Sequence, residues 1–393
     1  AASGASLYLG SYASGDNYMD MSAITPSSMQ LNRLKWETTT EYNTGLDASF
    51  LKGKLRFTVD VYQKYIKDLL QKKVKMPTSI GYGNGYEVSY MNSGKMTNKG
   101  WEFRVDAVPF ENKDWRVGFY FNIAHNENKI TEMPDNYTEE NYTFGNGIYA
   151  YRREEGRPMG SFYGYRYKGV CQNKDATYAR DADGNVMKDI SGNAIVMRNG
   201  TATIAPGDAL YEDINHDGVI NQYDIVYLGN SNPRFTGGAG VNVSYKQFKL
   251  SAIFYGRYGQ DVVNSTRLNN ESMRGIDNQS TAVLRRWRNE GDQTDIPRAL
   301  YGEGYNTLGS DRFVEDASYL RLKSLSFNYR LPKKIIQRWG FSNIDVYVTG
   351  YNLFTWTKYT GQDPEVKTEN TYATDSATTP ASIQLVAGFN LSF

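Results

Sequence analysis

The sequence predicts an all-β chain, arranged as a transmembrane antiparallel β-barrel with long extracellular loops. Three observations carry this. Strand-length runs alternate apolar and polar residues with period two. The connections between them alternate short and long. The chain closes on an amphipathic strand that ends with an aromatic: Ile383, Leu385, Ala387, Phe389, Leu391 and Phe393 fall on one face, Gln384, Val386, Gly388, Asn390 and Ser392 on the other. Side chains alternate across a strand, so such a strand needs an apolar cover on one side only. Lipid is one such cover, and a closed barrel leaves no unpaired edge within it.

The elements follow in order. Residues 36–50 form an extended run that a tight Lys52-Gly53-Lys54 turn joins to Leu55, Phe57, Val59 and Val61, which alternate with Arg56, Thr58, Asp60 and Tyr62. Trp101, Phe103, Val105 and Ala107 alternate with Glu102, Arg104 and Asp106. A short polar link then leads to Trp115, Val117, Phe119, Phe121 and Ile123. Phe248 to Tyr255, Leu325 to Leu331 and residues 344–354 repeat the pattern before the terminal strand. Weaker candidates lie at residues 5–10, 161–170 and 235–245. The total is roughly ten or eleven strands. The long connections are residues 67–94, 130–158, 171–233, 260–317 and 357–380, and loops of such length are uncommon inside compact soluble domains. Trp36, Trp101, Trp115, Trp339 and Trp356 sit near strand ends, where girdles at a membrane interface would lie.

Composition narrows the function classes. Lys+Arg number 44 against 43 Asp+Glu, a formal net charge of +1, so no basic excess points to nucleic acid. A single cysteine, Cys171, excludes an internal disulfide framework, and two histidines, His125 and His216, give poor support for a histidine triad or a multi-histidine zinc site. No apolar run reaches the roughly 18 residues of a membrane helix, which says nothing against barrel strands. The first residues, Ala1-Ala2-Ser3-Gly4, carry no signal-peptide pattern.

The strongest local motif spans residues 213–224. A hard divalent cation needs several oxygens around one point, and the EF-type loop supplies them from positions one, three, five, seven and twelve, with glycine at six. Here those positions are Asp213, Asn215, Asp217, the Val219 carbonyl and Asp224, with Gly218 at six and Ile220 expected to pack inward. The motif predicts a structural Ca2+ that rigidifies a long loop; the competing reading is an ordinary Asp/Asn/Gly turn. Asp181-Ala182-Asp183-Gly184-Asn185 reads as a turn, Gly81-Tyr82-Gly83-Asn84-Gly85 as a loop without phosphate-binding context, and residues 281–288 as a short helix capped by Ser280 or Thr281. No catalytic residue is assigned.

Several segments together resemble the SusC/RagA-type outer-membrane transporters of Bacteroidetes. They are Leu34-Lys35-Trp36-Glu37 with Gly45-Leu46-Asp47; Pro206-Gly207-Asp208 leading into Asp213 to Asp224; Pro233 with Phe235 and Gly238; Arg286-Trp287; Pro297-Arg298-Ala299; Ser310 to Lys323; Tyr351 to Thr355; and Tyr359, Gly361 and Asp363-Pro364-Glu365. The resemblance runs nearly the whole chain in order. It implies a TonB-dependent nutrient importer, not an enzyme, placed multi-pass in the cell outer membrane. Such an importer takes up oligosaccharides or oligopeptides under a SusD-like lipoprotein, driven by TonB with ExbB/ExbD acting through a plug. It also implies that Phe393 is the terminal aromatic read by barrel-assembly machinery. Barrels of this class have 22 strands, so residues 1–393 are expected to be the C-terminal half, with the plug and the N-terminal strands on the missing part. Residues 171–233 would form a long loop with the calcium motif and residues 260–317 a second extracellular loop. Two other readings stay open on the residues alone: a soluble or surface-anchored β-sandwich that binds glycans, and a secreted glycosidase on a β scaffold.

Overall fold

The structure is a computed structural model, and it describes residues 11–18, 21–75, 79, 87–92, 94–133, 144–150, 153–302, 304–366 and 372–393. Its frame is one nine-stranded sheet whose spatial order is its chain order. The strands are β1 (Thr38–Phe50), β2 (Leu55–Lys67), β3 (Lys95–Glu111), β4 (Trp115–Glu132), β5 (Phe235–Tyr245), β6 (Phe248–Tyr258), β7 (Tyr319–Arg330), β8 (Asn343–Thr357) and β9 (Gln384–Ser392). Every neighbouring pair is antiparallel. A 13-residue strand at about 3.3 Å per residue, tilted by about 45°, spans roughly 30 Å, the thickness of a bilayer core.

Register fixes the two faces of this wall. Val243 faces Leu250, Leu250 faces Phe327, Phe327 faces Val348 and Val348 faces Ala387, a continuous apolar row across five strands. One residue along, Asn242, Ser251, Ser326, Thr349 and Val386 form a largely polar row on the opposite face. Ser251 Oγ donates to Asn242 Oδ1 at 2.7 Å, and Ser326 and Thr349 hydroxyls meet at 2.8 Å. A one-residue slip would exchange the faces, so the alternation specifies the register. An arginine at Leu325 on the apolar face should therefore cost about 2–4 kcal/mol of stability in lipid, and one at Ser326 close to nothing. Urea titration in bilayers measures the difference; equal costs would refute the face assignment.

The polar face explains the tyrosine and glycine content. Tyr62 lies opposite Gly100, Tyr120 opposite Gly240 and Tyr347 opposite Gly388. A Cβ on those glycines would sit 2.5 Å from Tyr62 Oη, 2.1 Å from the Tyr120 ring and 2.6 Å from Tyr347 Oη. Each ring covers a bare cross-strand glycine, a pairing that recovers the packing the glycine lacks.

Connections at one end of the wall are short. β1 turns into β2 through Leu51–Gly53, with positive φ at Leu51, Lys52 and Gly53. Lys246 (φ 51°) and Gln247 alone join β5 to β6, and Pro332, a helical turn Lys333–Ile336 and left-handed Gly340 join β7 to β8. The strands that flank each long segment predicted above lead into it at the other end.

Three expectations are corrected. Among the described residues the wall has nine strands, against the ten or eleven expected of the whole chain. Residues 161–170 are extended, but Ser161–Gly164 pairs with Val226–Asn230, and Tyr167–Val170 with Ala209–Tyr211, so they belong to the loop region. All four residues of Ser161–Gly164 are buried, unlike any strand of the wall. Thr281–Arg285 is a 3-10 turn and stops before Trp287; Ser280 is its cap, accepting from the Ala282 N–H. The weak candidate at residues 5–10 and the Gly81–Gly85 loop lie outside the described residues.

The buried core lies in the loops, not between the wall strands. Tyr163, Tyr165, Cys171, Tyr211, Ile220 and Leu308 form its centre. Phe162, Val263, Leu268 and Phe313 form a second cluster, and Val262, Ala317, Tyr359, Val366 and Ala373 a third. Large apolar side chains of the wall, among them Leu46, Phe327, Leu385 and Phe389, are exposed. The molecule is thus a bare apolar wall carrying a folded cap.

Candidate functional site

The cap is locked by ionic networks that join motif residues singled out above to partners outside those motifs, among them Arg267, Glu271 and Asn306. Asp208 takes two hydrogen bonds from Arg298, at 2.7 and 3.2 Å, and a third from the Ala205 N–H. Asn306 donates to the Arg298 carbonyl and accepts from the Ala209 N–H. Gly207 has φ +90°, and a Cβ there would meet the Trp287 ring at 2.3 Å; only glycine lets residues 205–208 pass beneath Trp287. In a second network, Glu271 is shared by Arg267 (3.1 Å) and Arg312 (2.7 Å), and Glu315 binds Arg267 (3.1 Å) and the N–H and hydroxyl of Thr360. Burial opposes charge on Glu315, but Thr360 and Arg267 outweigh it and hold its carboxyl below the usual range.

The third network ties residues 358–366 and 372–383 to the polar face of the wall. Tyr255, Arg257, Tyr319 and Arg321 share that face at the loop end, and a bulge between Leu322 and Ser324 brings Lys323 in beside them. Arg321, only 3% exposed, grips Asp363 (2.5 Å), Glu365 (2.8 Å) and Thr355 Oγ1 (2.8 Å). Lys323 reaches Glu365 at 2.7 Å. Asp363 also accepts from the N–H groups of Glu365 and Ala381. Further in, Tyr359 donates to Asp375 at 2.7 Å, over Gly361, where a Cβ would collide with both. Between this loop and the wall lies a cavity of about 1230 Å³. Tyr255, Arg257, Gln260, Thr374 and Ser376 are among its lining residues.

The calcium-type loop sits on the cap. Its first half forms the turn that the motif requires: Asp213 accepts from the N–H of Asp217 (3.2 Å) and Gly218 (2.8 Å), Asn215 Oδ1 accepts from the Asp217 N–H, and Asp217 Oδ1 accepts from the Val219 N–H. Gly218 has φ +82°, and Ile220 is buried in the main core cluster. Asp224, fully buried, is engaged with backbone: its carboxylate accepts from Ile214 and Asn221, both at 2.8 Å. Burial raises its carboxyl above the ordinary value, with the nearby Asp213 and Asp217 charges adding to the rise. Among the described residues, no three His, Cys, Asp or Glu side chains converge as a metal-holding group.

The turn at Asp181 is as expected: its carboxylate accepts from the N–H of Asp183 and Asn185. The sequence reading passed over its twin, where Asp189 accepts from Ser191 and Asn193 in the same way; the shared Asp-x-x-Gly-Asn spacing was the available signal. Burial pushes the Cys171 thiol up to about 11, so it is protonated and unreactive at neutral pH.

An amphipathic antiparallel wall with short turns at one end and a folded cap at the other is the architecture of an outer-membrane barrel. Residues 2–353 match the family model described as TonB dependent receptor-like, beta-barrel. TonB-dependent receptor P3 of Formosa agariphila is 32% identical over 86% of this chain and 32% of its own length. TonB-dependent receptor SusC of Bacteroides thetaiotaomicron is 28% identical over 97% of this chain and 34% of its own length. The structure of the RagAB peptide transporter superimposes with a TM-score of 0.70 at 26% identity, covering 98% of this chain and 39% of that one. The chain belongs to the TonB-dependent receptor β-barrel family, a family of SusC-like outer-membrane importers and not of enzymes. It spans about a third of the length of the curated relatives it matches.

Proposed function

We propose that this chain forms part of the wall and the outer mouth of an energised importer of oligosaccharides or oligopeptides in the outer membrane. The observation that carries the reading is the cap: loops with their own buried core seated over a polar wall face, enclosing a large polar cavity. The wall is lipid-facing, the short turns lie toward the periplasm, and the cap meets a SusD-like lipoprotein. The remaining strands and a plug complete the barrel, and TonB with ExbB/ExbD acts through the plug. No step makes or breaks a covalent bond. In cells carrying the whole protein, uptake of labelled oligosaccharide and oligopeptide panels should require TonB, and affinity purification should retain the lipoprotein. Uptake unchanged without TonB would refute the reading.

We also propose that the loop of Asp213, Asn215, Asp217, the Val219 carbonyl and Asp224 takes calcium as a brace. The turn formed by Asp213, Asn215, Asp217 and Gly218 supports this; Asp224, held by backbone N–H groups, would have to release one of them to join the ligands. Calcium should raise the melting temperature of the assembled protein, chelator should remove the gain, and Asp217→Ala should abolish it. A wild-type melt indifferent to calcium and chelator would make the loop a turn and nothing more.

A further inference from the structure

We infer that the cavity between residues 358–366 and 372–383 and the wall is a carboxylate-selective subsite centred on Arg257, an inference that rests on the importer reading above. The charges of the cavity wall are unequal. Asp363 and Glu365 are already matched by Arg321 and Lys323. Arg257 is not: its guanidinium donates to Tyr255 Oη at 3.2 Å, and among the described residues no carboxylate lies within ion-pair distance of it. It is half-buried and lines the cavity, within reach of the Glu365 charge but not paired with it. Beside it Gln260 is 1% exposed, and its Oε1 has no hydrogen-bond partner. A buried acceptor left unpaired is uncommon and marks a place where a donor is to be supplied; the peptide N–H or sugar O–H groups that accompany a carboxylate are such donors, the carboxylate itself is not.

The aromatic groups of the cavity argue against recognition by ring stacking. Lys323 Nζ lies 5.7 Å and the Arg257 guanidinium 5.9 Å from the Tyr255 ring, and Tyr319 packs against that ring at 6.2 Å. Tyr372 is turned to Phe162 and Tyr149 in the cap core. Neither ring offers a free platform for a sugar face. The cavity lining holds this planar cation and the hydroxyls of Thr236, Thr374 and Ser376, with Asp363 and Glu365 on the same lining engaged by Arg321 and Lys323; guanidinium binds a carboxylate through two parallel hydrogen bonds. Two substrate classes present that group: the C-terminus or acidic side chains of an oligopeptide, and the uronic acid units of an acidic oligosaccharide.

The test uses the whole transporter, first in TonB-dependent uptake and then in detergent by calorimetry. Two matched pairs serve as probes: trialanine against its C-terminal amide, and trigalacturonate against maltotriose. The expected result is that the acid of at least one pair binds about ten-fold or more tightly than its neutral counterpart. Arg257→Gln should erase that preference and Arg257→Lys should keep part of it. The pair that shows it names the source of the carboxylate. A preference that survives Arg257→Gln, equal binding within both pairs, or no binding of any probe overturns the inference. The importer reading fails separately, when a transporter folded by heat-modifiable migration takes up no oligosaccharide or oligopeptide with TonB present.

Discussion

Replacing Arg321 with alanine is expected to unseat the loop of residues 358–383 and destabilise the cap by about 3 kcal/mol. Arg321 is the buried hub of three contacts, to Asp363, Glu365 and Thr355. Removing one partner of a buried pair leaves an uncompensated charge, a loss of roughly 3–5 kcal/mol. The low end applies, because Asp363 and Glu365 are 16% and 28% exposed and regain some solvation. A pH series separates this mechanism from general damage. Burial works against the Asp363 charge, while the N–H groups of Ala381 and Glu365 and the Arg321 guanidinium outweigh it, so its folded pKa is depressed. A depressed carboxyl stabilises the fold fully above its unfolded value, near 4, and loses that contribution as pH falls through the folded one. The gap between wild type and Arg321→Ala should therefore be widest at neutral pH and narrow below about pH 4. Thermal melts and protease sensitivity of residues 358–383 across that range give both readouts. A gap that does not change with pH would mean the loss comes from packing around Arg321 and not from its ion pairs.

The frame was legible in the sequence where one physical rule dominates. Alternation in Leu55–Val61, Trp101–Ala107 and Phe248–Phe254 gave strands with the right faces, because only one side of each is apolar. Loop asymmetry gave the two ends. Alternation fails where both faces of a strand are covered: Ser161–Gly164 is buried throughout, and its run of apolar and small residues does not differ from a wall strand by period alone. The cap networks were legible only as motif residues without partners. Arg321 and Glu365 are 44 positions apart, Asp208 and Arg298 90. No local rule pairs them; the fold brings them together by returning each long loop to the same end of the wall. The calcium-type loop lies between these cases. Its turn is written in adjacent residues, whereas Asp224 is buried and held by the N–H groups of Ile214 and Asn221.

Refolded by itself in detergent, the 393-residue chain is expected to yield no monomeric barrel. Among the described residues β1 pairs only with β2 and β9 only with β8, so each end of the described sheet presents a row of unpaired N–H and C=O groups. In water such an edge is solvated; within hydrocarbon each unpaired group costs several kcal/mol. Half of the backbone groups on two strands of 13 and 9 residues then cost tens of kcal/mol, more than the roughly 5–15 kcal/mol by which folded domains are stable. Curling nine strands shut would not remove the cost cheaply. β1 and β9 run in the same direction, since an odd number of antiparallel strands separates them by eight reversals, so closure would need a parallel pair between strands with unmatched registers. The open edges should instead pair between molecules, giving oligomers and aggregates by light scattering. Co-expression with the remainder of the whole protein should restore a heat-modifiable, monodisperse species. A stable monomer from the lone chain, migrating faster unheated than heated, would show that nine strands close on their own and would remove the need for further wall strands.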